Sequence, residues 1–146
     1  MILNIYFEDT DKISIRKREL LKVIERIIAE EGLSGREIDI IITNDKRLQI
    51  INEKYLNHKD YTDIITFKDI GKESVNGELY ISLERVRANS KEFSKNRLES
   101  ELYRVIIHGI LHVVGYDDLT VNEKKQMTQM EDFYLNELNL QIEQLK

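Results

Sequence analysis

The sequence predicts a single α+β domain over residues 1–146: a mixed four-stranded sheet, in the order β-α-β-α-β-β-α-α-α, surrounded by helices. Three observations predict it. Four short segments are apolar either at every second residue or continuously, which is the pattern of strands. The stretches after the first two repeat apolar residues at intervals of three and four, the period of a helix with one buried face. The third and fourth segments are separated only by a Gly-containing turn region, the mark of a hairpin. A length of 146 residues suits one domain.

Leu3 to Phe7 alternates apolar and polar residues and reads as the first strand. Ser14 is placed to cap a helix running to about Glu31, with Leu20, Leu21, Ile24, Ile27 and Ile28 on one face and Gly32 as its stop. Ile38 to Thr43 is a continuous apolar run, as in a strand buried on both faces. Asn44 caps a helix to about Leu56, whose buried positions are Leu48, Ile51 and Tyr55. A polar loop, Asn57 to Asp63, follows. Ile64 to about Lys68 is a strand. Gly71 to Gly77 is a turn region with Asn76-Gly77 as its strongest signal, and Glu78 to Leu83 is the alternating strand after it. Helices are expected from about Glu84 to Phe93, from Arg97 to Val114 with Ser94 or Asn96 as cap, and from about Val121 to Leu138. Asn139 to Lys146 reads as a frayed extension. This order implies two right-handed crossovers and then the hairpin.

Composition narrows the function classes. A hydrophobic share of 41% is enough for a core, and the absence of Cys excludes disulfides and thiolate metal sites. No apolar run approaches the ~18 residues of a membrane span, and MILNIYFEDTDK lacks the basic start and apolar centre of a signal peptide. A cytoplasmic protein with no membrane partner is expected. The formal net charge of −5 gives no overall basic footprint for nucleic acid. A polyanion must therefore meet a local basic patch or a bound metal.

The chemistry is concentrated in His108-Gly109-Ile110-Leu111-His112-Val113-Val114-Gly115-Tyr116-Asp117-Asp118. Histidines four apart on a helix leave the same face, one above the other. At ~100° per residue, Glu101, Arg104, His108 and His112 form one narrow polar stripe, and the remaining directions are apolar. That is a buried helix with its histidines at the floor of a cleft. Gly115 offers a left-handed stop, after which Asp118 or Asp117 can return toward the imidazoles. The spacing of four and then six matches the metzincin pattern, so this is a zincin-like metal helix. A single buried histidine would read as a hydrogen-bonded core residue; the pair followed by Gly and Asp points to a metal. Two imidazoles and a carboxylate leave a fourth position for water. Gly109 stands where H-E-x-x-H proteases carry their general base, and it lies on an apolar side of the helix, where it permits close packing.

HGILHVVGYDD resembles the H-G-x-L-H-L-x-G-Y-D-H signature of the YbeY family, bacterial metal-dependent endoribonucleases that mature ribosomal RNA. The resemblance covers nearly the whole chain. Thr62-Asp63-Ile64-Ile65-Thr66-Phe67 is similar to the family's P-T-D-V-L-S-F segment, Gly77-Glu78-Leu79-Tyr80-Ile81-Ser82 to its G-D-I-x-I-S strand, and Met130-Glu131 also recurs in it. The resemblance implies one zinc ion on His108, His112 and Asp118, and no small-molecule cofactor; another divalent metal stays open, because a carboxylate in place of a third imidazole suits harder ions somewhat better. It implies cleavage of single-stranded RNA, maturation of the 3′ end of the 16S rRNA precursor, the small ribosomal subunit as partner, and a part in ribosome quality control. The chain departs from the family at four places: Asp118 replaces the third ligand His, Leu56 an Arg, Tyr61 a Pro, and Glu78 an Asp.

With Leu56 in place of the Arg, Arg104 becomes the candidate phosphate contact beside a metal-bound water, and Lys59, His58, Thr62 and Asp63 are the candidate substrate-binding residues. His58 also reads as an ordinary exposed loop residue, and Asp63 as a turn or cap residue. Glu101 is placed to orient a ligand imidazole, to pair with Arg104, or to face water. The competing readings are a zinc peptidase on the same ligand set, against which Gly109 speaks, and a non-catalytic ribosome-associated factor binding RNA or protein.

Overall fold

The computed structural model describes residues 1–56, 62–71, 73–93 and 98–144. The elements are β1 (Ile2–Phe7), α1 (Lys17–Glu30), β2 (Ser34–Thr43), α2 (Asp45–Leu56), β3 (Ile64–Ile70), β4 (Ser74–Ser82), α3 (Leu83–Phe93), α4 (Leu98–Val113) and α5 (Val121–Glu143). The four strands form one mixed sheet in the order β1-β2-β4-β3. β1 and β2 are parallel, β2 and β4 are parallel, and β3 runs antiparallel to β4 at the edge.

This topology corrects the expectation of two successive crossovers. Only β1-α1-β2 joins parallel neighbours directly. The chain after α2 passes to the far edge, runs back as β3, and the hairpin then returns β4 between β3 and β2. Hydrophobic patterning selects which face of a strand is buried; it does not select the neighbour.

The strand period sorts the two faces. Ile38, Ile40 and Ile42 of β2 lie in register with Gly77, Leu79 and Ile81 of β4, and all three isoleucines are wholly buried. They form the main core with Leu20, Val23, Ile24, Ile27 and Ile28 of α1 and with the apolar sides of α4 and α5. The opposite face carries a smaller cluster of Leu48 and Ile51 from α2 with Ile65 from β3. Ile41 and Thr43 are buried on that side, so the second half of β2 is covered on both faces, as its continuous apolar run predicts.

Local signals fared unevenly. The Asn44 cap is present, its Oδ1 accepting from Arg47 N–H at 2.9 Å. The Gly32 stop is present with φ +73°, and paired bonds from Gly32 N–H to Ala29 O and from Leu33 N–H to Ile28 O close a Schellman end. Ser14 does not cap α1. The N-cap is Arg16, without a side-chain cap bond, and its N–H donates to the Tyr103 hydroxyl of α4 at 2.9 Å. Ile13 and Ile15 pack on the core and hold the chain before the helix, which moves its start past Ser14. Tyr55, expected to be buried, is 60% exposed and meets Phe67 edge-on instead.

Asn76-Gly77 is not the hairpin turn. Both residues lie inside β4, opposite Asp69 and Lys68 of β3, and the chain reverses earlier, where Gly71 N–H donates to Ser74 O at 2.8 Å. Gly77 serves a close approach: a Cβ there would lie 3.1 Å from Ile38 Cδ1 and 3.4 Å from both methyls of Val113. α5 begins where expected but continues to Glu143, with Ile142 packed against the core. The capping positions Ser94 and Asn96 lie outside the described residues. No helix among the described residues is long and apolar enough to cross a membrane.

Candidate metal centre

α4 presents its chemistry on one line. Glu101, Arg104, His108 and His112 are half-buried, and every other position from Leu102 to Val113 is buried. The helix can lie this close to the sheet because of Gly109. A Cβ at Gly109 would meet Ile64 Cδ1 at 2.5 Å and Leu79 Cδ2 at 2.8 Å. A glutamate at this position, as in a protease helix, has no room, and it would face the sheet rather than the cleft.

The helix ends as the sequence predicts. Gly115 has φ +113°, its N–H donates to His112 O at 3.0 Å, and Tyr116 N–H donates to Leu111 O at 3.0 Å. The Tyr116 hydroxyl reaches Glu31 Oε1 at 2.5 Å, tying the turn to the end of α1. That hydrogen bond, with burial and the charge of Glu31 behind it, pushes the phenol up to about 12. Three residues beyond Asp117, Thr120 starts α5 with a complete capping box: its Oγ1 accepts from Glu123 N–H, and Glu123 Oε1 accepts from Thr120 N–H. Asp118 thus sits on a short bridge between two defined helix ends.

The bridge brings Asp118 to the histidines. Its Oδ2 is 3.4 Å from His108 Nε2 and 3.6 Å from His112 Nε2, and the two Nε2 atoms are 2.9 Å apart. Donors bound at about 2.1 Å to one tetrahedral ion stand about 3.4 Å from one another. The three donors fit that arrangement, with the imidazoles needing to part by about half an ångström. Among the described residues this is the group of histidines and carboxylates that could hold a metal ion. Asp117 is exposed and is not part of it.

A second carboxylate completes the surroundings. Glu131 of α5, itself buried, places Oε2 at 2.7 Å from His108 Nδ1. Its Oε1 accepts from Arg104 Nη1 at 3.2 Å, and Arg104 Nη2 donates to Asp132 at 2.7 Å. Burial lowers the His108 pKa, but the hydrogen bond and charge of Glu131, then Asp118 and Asp63, outweigh it and leave the imidazole raised. Burial likewise opposes the charge on Arg104, and Asp132 and Glu131 more than restore it.

These partners change two expectations. Arg104 lies on the stripe beside the histidines as expected, but both its terminal nitrogens face carboxylates, so contact with a phosphate would require one to be exchanged. Glu101 does not orient an imidazole: Glu131 does. Burial raises the Glu101 carboxyl, Arg104 lowers it, and Asp63 and Glu131 raise it further, with a net upward shift. Asp63 therefore stands near both Glu101 and His108, while its backbone carbonyl accepts from Ser82 N–H at 3.0 Å. The Thr62 hydroxyl donates to Ile64 O at 3.2 Å. His58 and Lys59 lie outside the described residues.

Glu131 and Asp132 were the residues that spacing around the histidines missed. A signal was present. Met127, Glu131, Leu135 and Leu138 are the buried positions of α5, so Glu131 is a carboxylate standing in an apolar helical stripe.

Comparison with known proteins identifies the family. The family model described as Endoribonuclease YbeY matches residues 4–139. A curated protein named Endoribonuclease YbeY from Porphyromonas gingivalis is 38% identical over 130 residues, covering 89% of this chain and 85% of that one. Its namesake from Karelsulcia muelleri is 40% identical over 109 residues, covering 75% and 77%. The solution structure of TM1509 from Thermotoga maritima superposes with a TM-score of 0.62 at 28% identity, covering 94% of this chain and 89% of that one. With a match across nearly its whole length and the signature histidines converging with Asp118, the chain belongs to the YbeY endoribonuclease family.

Proposed function

We propose that this chain is a zinc-dependent, single-strand-specific endoribonuclease of the cytoplasm. Its proposed substrate is the 16S rRNA precursor on the small ribosomal subunit, cut toward the mature 3′ end, with a contribution to ribosome quality control. Residues 1–146 form one YbeY-like metal-dependent hydrolase domain in this reading. The observation that carries it is the convergence of His108, His112 and Asp118 in a chain of this family.

When bound, a divalent metal supplies a Lewis acid for the phosphate and an acidified water. The protein's share is to hold and orient. His108 and His112 offer neutral nitrogen donors, and Asp118 contributes an anionic oxygen that partly offsets the metal's charge. Thr62 and Asp63 are proposed to receive the RNA, together with His58 and Lys59, which lie outside the described residues. A peptidase reading is disfavoured by Gly109, which is packed against Leu79 and Ile64 and provides no base.

The test incubates purified protein with single-stranded RNA, double-stranded RNA and casein, with and without chelator. Internal cleavage of the single strand alone, lost on chelation and restored by zinc, is expected. Intact RNA under every metal condition, from folded protein, would refute the nuclease reading.

A further inference from the structure

We propose that Arg104 and Glu131 form a positioning relay that holds His108 in the tautomer able to bind metal, and that Arg104 acts through Glu131 rather than on the RNA. The proposal rests on the reading of His108 as a metal ligand and specifies what that reading requires of the residues behind it.

An ionised carboxylate only accepts hydrogen bonds. With Glu131 Oε2 at 2.7 Å, His108 Nδ1 must carry a hydrogen. In the neutral imidazole the lone pair is then on Nε2, the atom that faces His112 and Asp118. The opposite tautomer would point an N–H into the metal position and bind nothing there. Glu131 thereby selects the productive form and fixes the ring plane.

Glu131 could not do this unaided. It is a buried acid whose second oxygen needs a partner, since a carboxylate left half-satisfied is free to turn. Arg104 supplies that partner at 3.2 Å and is itself held at 2.7 Å by Asp132. Arg104 and His108 lie one turn apart on α4, and Glu131 and Asp132 are adjacent on α5, so one pair of helices carries the whole relay. Every donor and acceptor named has its complement, which a phosphate-binding arginine waiting for substrate would not require.

The experiment uses the full chain. In metal-free protein, ¹⁵N NMR of the histidine side chains at pH above the imidazole range reads the tautomer directly. A protonated Nδ1 on His108 is expected, changing to protonated Nε2 or a mixture in Glu131→Ala and retained in Glu131→Gln, whose amide oxygen can still accept. Zinc affinity, measured by competition with a chelating dye, should fall about 10- to 100-fold in Glu131→Ala and by a smaller factor in Arg104→Met. The salt dependence of single-strand binding should be the same in Arg104→Met as in the unaltered chain, because no phosphate contact is lost.

A protonated Nε2 on His108 in the unaltered protein overturns the relay. So does unchanged zinc affinity in Glu131→Ala while His108→Ala loses it, an outcome that keeps the metal reading. Unchanged affinity in both variants overturns the two together. A salt slope reduced by about one in Arg104→Met, with zinc affinity unaltered, assigns Arg104 to the RNA instead.

Discussion

Asp118 sets the donor chemistry of the proposed metal site. It holds an oxygen 3.4 Å and 3.6 Å from two imidazole nitrogens, where the family signature has a third nitrogen donor. An imidazole suits zinc better than a single carboxylate oxygen does. Asp118→His is therefore expected to tighten zinc binding, and Asp118→Ala to weaken it, both by calorimetric titration of folded protein. Equal or weaker affinity in Asp118→His would count against Asp118 as a ligand. Glu101 makes a prediction of opposite character. Its pKa is raised in the folded protein by burial, and by Asp63 and Glu131 beyond what Arg104 offsets. The folded state therefore favours the protonated form. That contribution is complete below the ordinary carboxylate range and is lost as pH rises through the raised value. Above that raised value the ionised side chain is a liability, so there Glu101→Gln should raise the melting temperature by about one to three degrees. The gain should vanish when the comparison is repeated in acid. A gain that persists at low pH would mean that charge is not its source.

At the scale of elements, the packing of α4 on the sheet turns on one missing side chain. Gly109→Ala adds a Cβ that must displace Ile64 Cδ1 and crowd Leu79, whose branch carbon is 3.1 Å away. The helix gains about 1 kcal/mol in propensity, but overpacking a filled core costs typically about 1–3 kcal/mol. The steric term should win, lowering the denaturant midpoint. Adding Ile64→Val, which removes the clashing methyl, should recover part of the loss. At α5, Thr120→Ala should cost about 1 kcal/mol by opening the capping box. The helices were the legible part of the chain because their signals are local: the Asn44 cap, the stops at Gly32 and Gly115, and the polar stripe through His108 and His112 each depend on residues within a few positions. Asn76-Gly77 misled because the same dipeptide serves a turn or a close approach. Only the positions of Ile38 and Val113, both far from it along the chain, decide between them. The family resemblance marked Glu131 but not its role, since its partner lies on another helix.

For the whole molecule, the net charge of −5 makes a general attraction to RNA implausible, and a bound divalent ion is the natural source of a local positive field. If zinc binds the folded chain alone, it should also stabilise it. Zinc at 100 times its dissociation constant contributes about 2.7 kcal/mol, which for a domain of this size raises the melting temperature by roughly 5–10 degrees. Chelation should reverse the shift, and His112→Ala should abolish it. A melting curve indifferent to zinc in the unaltered chain would show that the three donors hold no ion in solution. The strand order was the least legible feature at this scale. Nothing in the periodicity of β3 and β4 says that β4, the later of the two, takes the interior place beside β2.

The short bridge carrying Asp118 has a consequence for the speed of assembly. His108, His112, Asp118 and Glu131 all come from two consecutive helices and the bridge between them, whereas the sheet must join β1 to β2 across α1 and β2 to β4 across two intervening elements. Closing short loops is entropically cheaper than pairing distant strands, and contacts near in sequence tend to form first. The α4–α5 hairpin is therefore expected to be in place when the rate-limiting step is crossed. Zinc should then quicken refolding as well as slow unfolding, because a ligand that already finds its site in the transition state lowers that barrier too. Stopped-flow refolding with and without zinc reads this as a rise in the folding arm; an effect confined to the unfolding arm would place closure of the hairpin after formation of the sheet.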